Sequence, residues 1–191
     1  MGLTARPTKP ALAAIGRQLE LKRDELLVEW ADWLMGRMHQ DDPAIDRPTI
    51  ERQLGLILDI VIELAGPLRR QIAELWFDAC DAYGRTAAAR GLASGEVVEE
   101  LQHLRELLIH NLADVIAALP ARQLMAAVLR LNRSLDRGIA HAVVGYTDVL
   151  VETLLEKGGV ILDASGPGNN PVRERLDQLE HELATFRQMS H

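Results

Sequence analysis

The feature that most constrains the fold is a proline-free run from Ala121 to Lys157. Within this run, apolar or small side chains recur at steps of three and four residues, the spacing that places side chains on one face of an α-helix. These side chains are Leu124, Val128, Leu131, Leu135, Ile139, Ala142, Tyr146, Val149 and Thr153. At 1.5 Å per residue, such a helix spans roughly 50 Å, which is longer than an ordinary bundle helix. The run therefore predicts a long helix that can connect a packed domain to something beyond it.

The rest of the chain also has helical periodicity, and no segment shows the sustained alternation that is typical of β-strands. Four further main helices are predicted from the positions of apolar residues, prolines, glycines and capping side chains. The first runs from Ala11 to about His39, and the second from Pro48 to Leu64, with Asp46 as its N-cap. The third begins after Pro67 and continues to Arg90, where Gly91 stops it. The fourth has Ser94 as its N-cap and ends at Leu119. The sequence thus predicts an all-α protein, a helical bundle of about five main helices with a long fifth helix.

Composition shifts divide the chain into a flexible N-terminus (1–10), the helical bundle (11–158), a linker rich in glycine, asparagine and proline (159–171), and a short amphipathic helix (172–191). Apolar residues of this last helix follow coiled-coil spacing, with charged residues elsewhere. They are Leu176, Leu179, Leu183 and Phe186. This spacing predicts a coiled-coil-like contact between two copies of the chain, and hence a homodimer.

Composition and charge exclude several classes of protein. The formal net charge of −7 disfavours nucleic-acid binding, which requires a clustered positive surface. Cys80 is the only cysteine, so an internal disulfide and a cysteine-based zinc site are excluded, and we expect a small buried side chain there. The N-terminus has no apolar signal-peptide core, and the most apolar stretch carries Asp59 and Glu63. We therefore expect a cytoplasmic protein that binds no nucleic acid and does not insert into a membrane.

The sharpest metal-site candidate is the pair Glu100 and His103, because Glu-x-x-His is a spacing used in di-iron helical bundles. Such a site needs a second copy of the motif, which the sequence lacks. His103 and His110 instead share a polar stripe with Glu99 and Glu106 on the predicted fourth helix. We expect a solvated stripe or a contact surface, with metal binding or pH sensing as the alternative.

His141 raises the alternative of phosphotransfer. Phosphotransfer bundles display an exposed histidine that is followed within a turn by a lysine and a glycine. His141 is followed by Gly145, but Val144 occupies the position of the lysine. The simpler interpretation of Gly145 is a point of close approach between two helices.

Four aromatic residues could line an apolar ligand pocket: Trp30, Trp33, Trp76 and Tyr146. Aromatic side chains at helical spacing belong more often to a core, and we favour that interpretation. No histidine falls clearly on a core stripe as a haem ligand would, so no cofactor is predicted. The sequence contains no phosphate-binding glycine loop and no zinc hydrolase motif, so we expect no enzymatic activity.

The segment YGRTAAARGLASGEVVEELQHLRELL (83–108) resembles the N-terminal input domains of the RsbT co-antagonist (RsbRD) type, found ahead of bacterial sensor kinases and in stressosome-like regulators. The matching residues are Gly84, Arg85, Arg90, Gly91, Glu100, Leu104 and Arg105. LLVEWADWL (26–34) and LNRSLDRGIAHAVVGYTDVL (131–150) fit the same plan, so the resemblance covers about residues 11–158. It implies an all-helical, often dimeric module that has no catalysis of its own.

The sequence therefore predicts a non-catalytic signal-input or regulatory domain of a bacterial signalling system. It would act by homodimerisation and by contact with a protein partner or a downstream kinase or other output domain. Two alternatives remain open. One is a histidine phosphotransfer protein that uses His141, and the other is a helical protein that binds a metal or cofactor.

Overall fold

The computed structural model describes residues 9–37, 46–66, 69–159 and 169–190. Within these ranges the chain forms seven helices and no strand, which confirms the predicted all-α bundle. The helices are α1 (Lys9–Arg37), α2 (Arg47–Ala65), α3 (Arg69–Ala89), α4 (Ser94–Asn111), α5 (Ala113–Ala117), α6 (Ala121–Gly159) and α7 (Asn169–Ser190). The predicted flexible N-terminus as far as residue 8, and residues 160–168 of the predicted linker, lie outside the described residues.

The start and end of α2 follow the local signals in the sequence. Asp46 is the N-cap, and its carboxylate accepts a hydrogen bond of 3.0 Å from the backbone N–H of Thr49. Pro48 lies in the first turn, where its missing N–H costs no helical hydrogen bond. Gly66 caps the C-terminus, and its N–H donates to the carbonyls of the last turn. All three residues act through local geometry, and the sequence predicts Asp46 and Pro48 correctly.

The corner between α3 and α4 confirms one predicted cap and corrects another. Gly91 has a positive φ of 77°, and Leu92 N–H donates to Ala87 O at 3.2 Å, a Schellman-type end to the helix. The N-cap of α4 is Ala93, so the prediction of Ser94 was wrong by one residue. The reason is Glu96, whose carboxylate accepts the backbone N–H of Ala93 at 2.7 Å and so satisfies an amide that the helix leaves unpaired.

The predicted fourth helix is interrupted before it reaches Leu119. Its main part ends at Asn111, and the single-turn helix α5 follows after Leu112. The side-chain amide of Asn111 donates to the carbonyl of Leu107 at 3.0 Å. Such a side-chain hydrogen bond to the carbonyl four residues earlier competes with the helical ladder and bends helices.

Helices α3 and α6 form the most extensive helix pair and run in the same direction. Glycines allow the two backbones to approach closely, since a Cβ atom at Gly84 would lie 1.8 Å from Ala142 O, and one at Gly145 would lie 2.2 Å from Asp81 O. Gly138 belongs to the same interface and packs against an indole ring. The interpretation of Gly145 as a point of close approach is confirmed.

Helix α7 corrects the prediction for the C-terminal helix. Its apolar stripe is buried within the chain, because α7 packs against α2 and α3. The buried residues are Leu176, Leu179, Leu183 and Phe186. Helix α2 is apolar on nearly all sides and needs cover on more than one face. The proposed coiled-coil dimer contact through these four residues is therefore wrong in this structure, since α2 and α3 already cover them.

Candidate functional site

Three polar side chains meet inside the bundle beside the corner between α3 and α4, and we call them the corner cluster: Tyr83, Arg90 and Glu100. The guanidinium of Arg90 binds the Glu100 carboxylate through two hydrogen bonds of 3.0 and 2.7 Å. The Tyr83 hydroxyl donates to the same carboxylate at 2.6 Å. The side chains of Arg90 and Glu100 are only 3% and 5% exposed, so this ion pair lies out of water.

Burial determines the electrostatics of the corner cluster. Burial, together with the nearby charge of Glu100, raises the pKa of the Tyr83 phenol well above its usual value, so the hydroxyl stays a donor. Burial alone would lower the pKa of Arg90, but the facing Tyr83 and Glu100 outweigh it and raise that pKa. The indole N–H of Trp30 donates to the backbone carbonyl of Glu100 at 3.3 Å. The ion pair and these hydrogen bonds therefore join α1, α3 and α4.

The sequence does not predict this placement of Glu100, which is considered there only as a possible metal ligand together with His103. Its carboxylate points inward because Arg90, ten residues earlier, supplies the counter-ion that makes burial tolerable. Glu106 and His110, the other end of the stripe, are exposed as predicted. Among the described residues, no group of three or more His, Cys, Asp or Glu side chains is arranged to hold a metal ion.

His103 is also less exposed than predicted. Its ring stacks on Trp33 with 4.1 Å between centroids, and its side chain is 20% exposed. The guanidinium of Arg37 lies 4.8 Å from the same indole ring and pairs with Glu99 at 2.6 Å. Both contacts connect α1 to α4, so this part of the stripe is a packed contact between helices.

His141, the possible phosphoacceptor, is half-buried. Its imidazole stacks on Phe77 of α3, with 4.4 Å between centroids and 9° between the ring planes. Arg137, one turn earlier, places its guanidinium 4.4 Å from the same phenyl ring. One face of the imidazole is therefore covered, which disfavours its use as a phosphoacceptor.

The aromatic residues predicted to be core or pocket residues belong to the core. Trp30 and Trp76 are 0% and 1% exposed, and the Trp76 indole N–H donates to Ser134 O at 2.9 Å. The Tyr146 hydroxyl donates to Leu92 O at 2.8 Å, which connects α6 to the corner. The interpretation of these side chains as core is confirmed for three of the four, and Trp33 belongs to the stack described above.

Cys80 is buried as predicted. Its side chain faces the α3–α6 interface, where its sulfur lies 2.8 Å from the position that a Cβ on Gly138 would occupy. Burial, with a smaller contribution from the charge of Asp81, raises the pKa of the thiol well above its usual value. The thiol is thus held in its neutral, unreactive form.

The sequence did not predict an open groove of about 400 Å³ between α1, α2 and α7. Its apolar floor includes Leu56 and Leu183, and three arginines lie along it. Each arginine is already neutralised within the fold: Arg23 by Asp59, Arg52 by Asp177 and Glu180, and Arg187 by Glu63. The groove therefore presents no unpaired positive charge to an anionic ligand.

The C-terminal end of α6 is the most exposed apolar part of the bundle. Arg85, one turn before α3 ends, pairs with Asp148 and Glu152, so the later residues of α6 extend past the end of α3. Leu154 and Leu155 are 69% and 72% exposed. By length and composition, Ala121–Leu155 could cross a membrane, but a core helix of a soluble protein passes the same test.

Comparisons of this chain with protein-family models, with curated proteins and with solved structures give no match.

Proposed function

We propose that this chain is a non-catalytic regulatory module of a bacterial signalling system that acts through protein contacts. The observation that carries the proposal is the form of α6. One side of this helix is fixed to α3 by backbone contacts at glycines, and its C-terminal end presents exposed leucines. A helix that is held rigidly and exposes apolar side chains is suited to contact another protein.

Three reactive side chains support the same proposal, because packing engages them. The thiol of Cys80 is buried, the imidazole of His141 is stacked, and the carboxylate of Glu100 is bound by the side chains of Tyr83 and Arg90. The resemblance to RsbRD-type input domains rests on residues of this same corner. A kinase or another output protein of a signalling system is the partner that this resemblance implies.

Site-specific photo-crosslinking in bacterial cells tests the proposal. A photoreactive amino acid is placed at Leu155 on the exposed end of α6, and in a matched control at Leu21 on the outer face of α1. The two leucines have similar exposure, 72% and 80%, so non-specific capture would be similar. We expect the Leu155 variant to form an adduct, identified by mass spectrometry as a kinase or another signalling protein, which the Leu21 variant does not form.

Two outcomes contradict the proposal. One is the same set of adducts from both positions, and the other is a Leu155-specific adduct that contains only enzymes of metabolism. Adducts between two copies of this chain do not decide the matter, since they concern the further inference below.

A further inference from the structure

Exposed large apolar side chains occur in two groups on the side of α6 away from α3, one near the start of the helix and one in its second half. They lie between 42% and 72% exposed and are Met125, Leu129, Val144, Leu150, Val151, Leu154 and Leu155. Ala140, near the middle of the helix, is also exposed and adds little bulk. Arg133, Asp136 and Arg137 are exposed between the two groups. Two such groups on one face of a helix exceed the scattered apolar residues that are normal on a surface.

The charges of α6 are distributed unequally along the same helix. Residues 121–140 contain four arginines and one aspartate, whereas residues 141–155 contain Asp148 and Glu152 and no Lys or Arg. Helix α6 is thus basic in its first half and acidic in its second half. Two such helices attract each other when they run in opposite directions, and repel when they run side by side in the same direction.

We propose that the exposed face of α6 binds the same face of a second copy of this chain, antiparallel and centred on Ala140. In such a pair, residues at equal distances before and after Ala140 lie opposite each other. Leu129 then meets Val151 of the other copy, eleven residues on either side. The proposed contact stops there, so Leu154 and Leu155 at the end of α6 remain for the partner of the proposed function. The small side chain of Ala140 lets the helices approach at the two-fold axis.

Charge complementarity specifies the partner more closely. Asp81, Asp148 and Glu152 share a single cation, Arg85, at distances of 3.1 to 3.3 Å. This group of four therefore has a net charge of −2. Arg133 is exposed and has no ion-pair partner in the described part of the chain. Seven residues separate Arg133 from Ala140, so the antiparallel pair places it opposite Thr147 and next to Asp148 of the other copy.

Two other occupants fit this face less well. A parallel pair would place Arg133 beside its own equivalent and leave the acidic groups facing each other. A lipid bilayer would contact the same face, but it offers no carboxylate to Arg133 and would strip water from the charges of Arg133, Asp136 and Asp148. A second copy provides both the apolar contacts and the counter-charges.

This inference rests on the proposed function only for its role in signalling. Light scattering coupled to size-exclusion chromatography tests it on the full chain. The variants are Arg133→Glu, Asp148→Arg and the double charge exchange, with Arg17→Glu on the outer face of α1 as the matched control. Thermal melts by circular dichroism verify that each variant remains folded.

We expect the parent chain and Arg17→Glu to elute as dimers of twice the monomer mass of 21.2 kDa. Each single change at the proposed contact should raise the dimer dissociation constant by about tenfold or more, and the double exchange should largely restore it. The inference is overturned by a monomeric parent at micromolar concentration, by a double exchange no better than the singles, or by flotation of the parent with phosphatidylcholine vesicles. A monomer that still gives Leu155 adducts with signalling proteins would leave the proposed function standing. A dimer without such adducts would support this inference and contradict the proposed function.

Discussion

Removal of one partner from the corner cluster should cost more stability than removal of both. Arg90→Met leaves the Glu100 carboxylate, 5% exposed, without its counter-ion. Glu100→Leu leaves the Arg90 guanidinium equally stranded, and its Nε is already buried with no hydrogen-bond partner among the described residues. The double variant Arg90→Met/Glu100→Leu contains neither charge and fills the space with apolar side chains of similar size.

The magnitudes follow from this geometry. An unpaired charge left behind in a buried ion pair costs about 3–5 kcal/mol, whereas exchange of the whole pair for apolar residues is often neutral. The double variant should therefore lie within about 2 kcal/mol of the parent and above both singles. Tyr83→Phe removes one hydrogen bond to a charged group, so we expect a loss of about 1.5–3 kcal/mol.

Urea denaturation followed by far-UV circular dichroism measures these free energies of unfolding. The parent, Arg90→Met, Glu100→Leu and the double variant form a mutant cycle, and Tyr83→Phe remains measurable if a stranded charge prevents folding. A double variant whose loss equals the sum of the two single losses would refute the reasoning, because it would show that the two charges do not compensate each other.

Three further predictions concern the packing of the bundle. Gly84→Ala should lower the free energy of unfolding, measured by urea denaturation, by about 1–3 kcal/mol or more, because the added Cβ would meet the backbone of α6. Gly95→Ala should leave it unchanged, because no atom lies within 4 Å of the added Cβ, and equal effects of the two changes would contradict the α3–α6 contact. The free energy of unfolding should fall by about 1.4 kcal/mol per pH unit above pH 10.0. The raised pKa of Tyr83 keeps the phenol protonated in the folded state, whereas the unfolded chain loses this proton, so Tyr83→Phe should lack the slope. In urea denaturation, Leu179→Ala should lower the free energy of unfolding by about 2–5 kcal/mol, and Arg52→Ala by less than about 1 kcal/mol. The reason is that burial of apolar side chains, rather than exposed ion pairs, holds α7 in place, and the opposite order of losses would contradict this.

The sequence predicts the helices and most of their ends, because these depend on neighbours a few residues apart. Asp46, Pro48 and Gly91 act on their own turns, so a reader of the sequence can locate them. The corner cluster is different, since a helical map of α4 alone places Glu100 near the polar side. Only the corner at Gly91 brings Arg90 to that carboxylate. The docking of α7 likewise depends on α2, more than a hundred residues earlier. The apolar periodicity of a helix does not show which distant helix it packs against.

The residues that carry the RsbRD-type resemblance each have a packing role in this structure. Gly84 permits the close approach of α6, Arg85 binds the acidic residues of α6, and Gly91 takes the positive φ that ends α3. Arg90 and Glu100 form the buried ion pair. What resembles a chemical site in the sequence is thus a junction that fixes three helices. The surface that we propose for function is the exposed face of α6.

Disulfide crosslinking at Ala140 tests the use of that face most directly. The chain has one other cysteine, Cys80, which is buried, so the parent serves as a control that should form no covalent dimer. If two copies pair antiparallel about Ala140, Ala140→Cys yields a disulfide-linked dimer on mild oxidation. Thr147→Cys yields none, because its two equivalents lie roughly 20 Å apart at 1.5 Å per residue. No covalent dimer from Ala140→Cys, or equal crosslinking from both variants as in a parallel pair, would contradict this assignment.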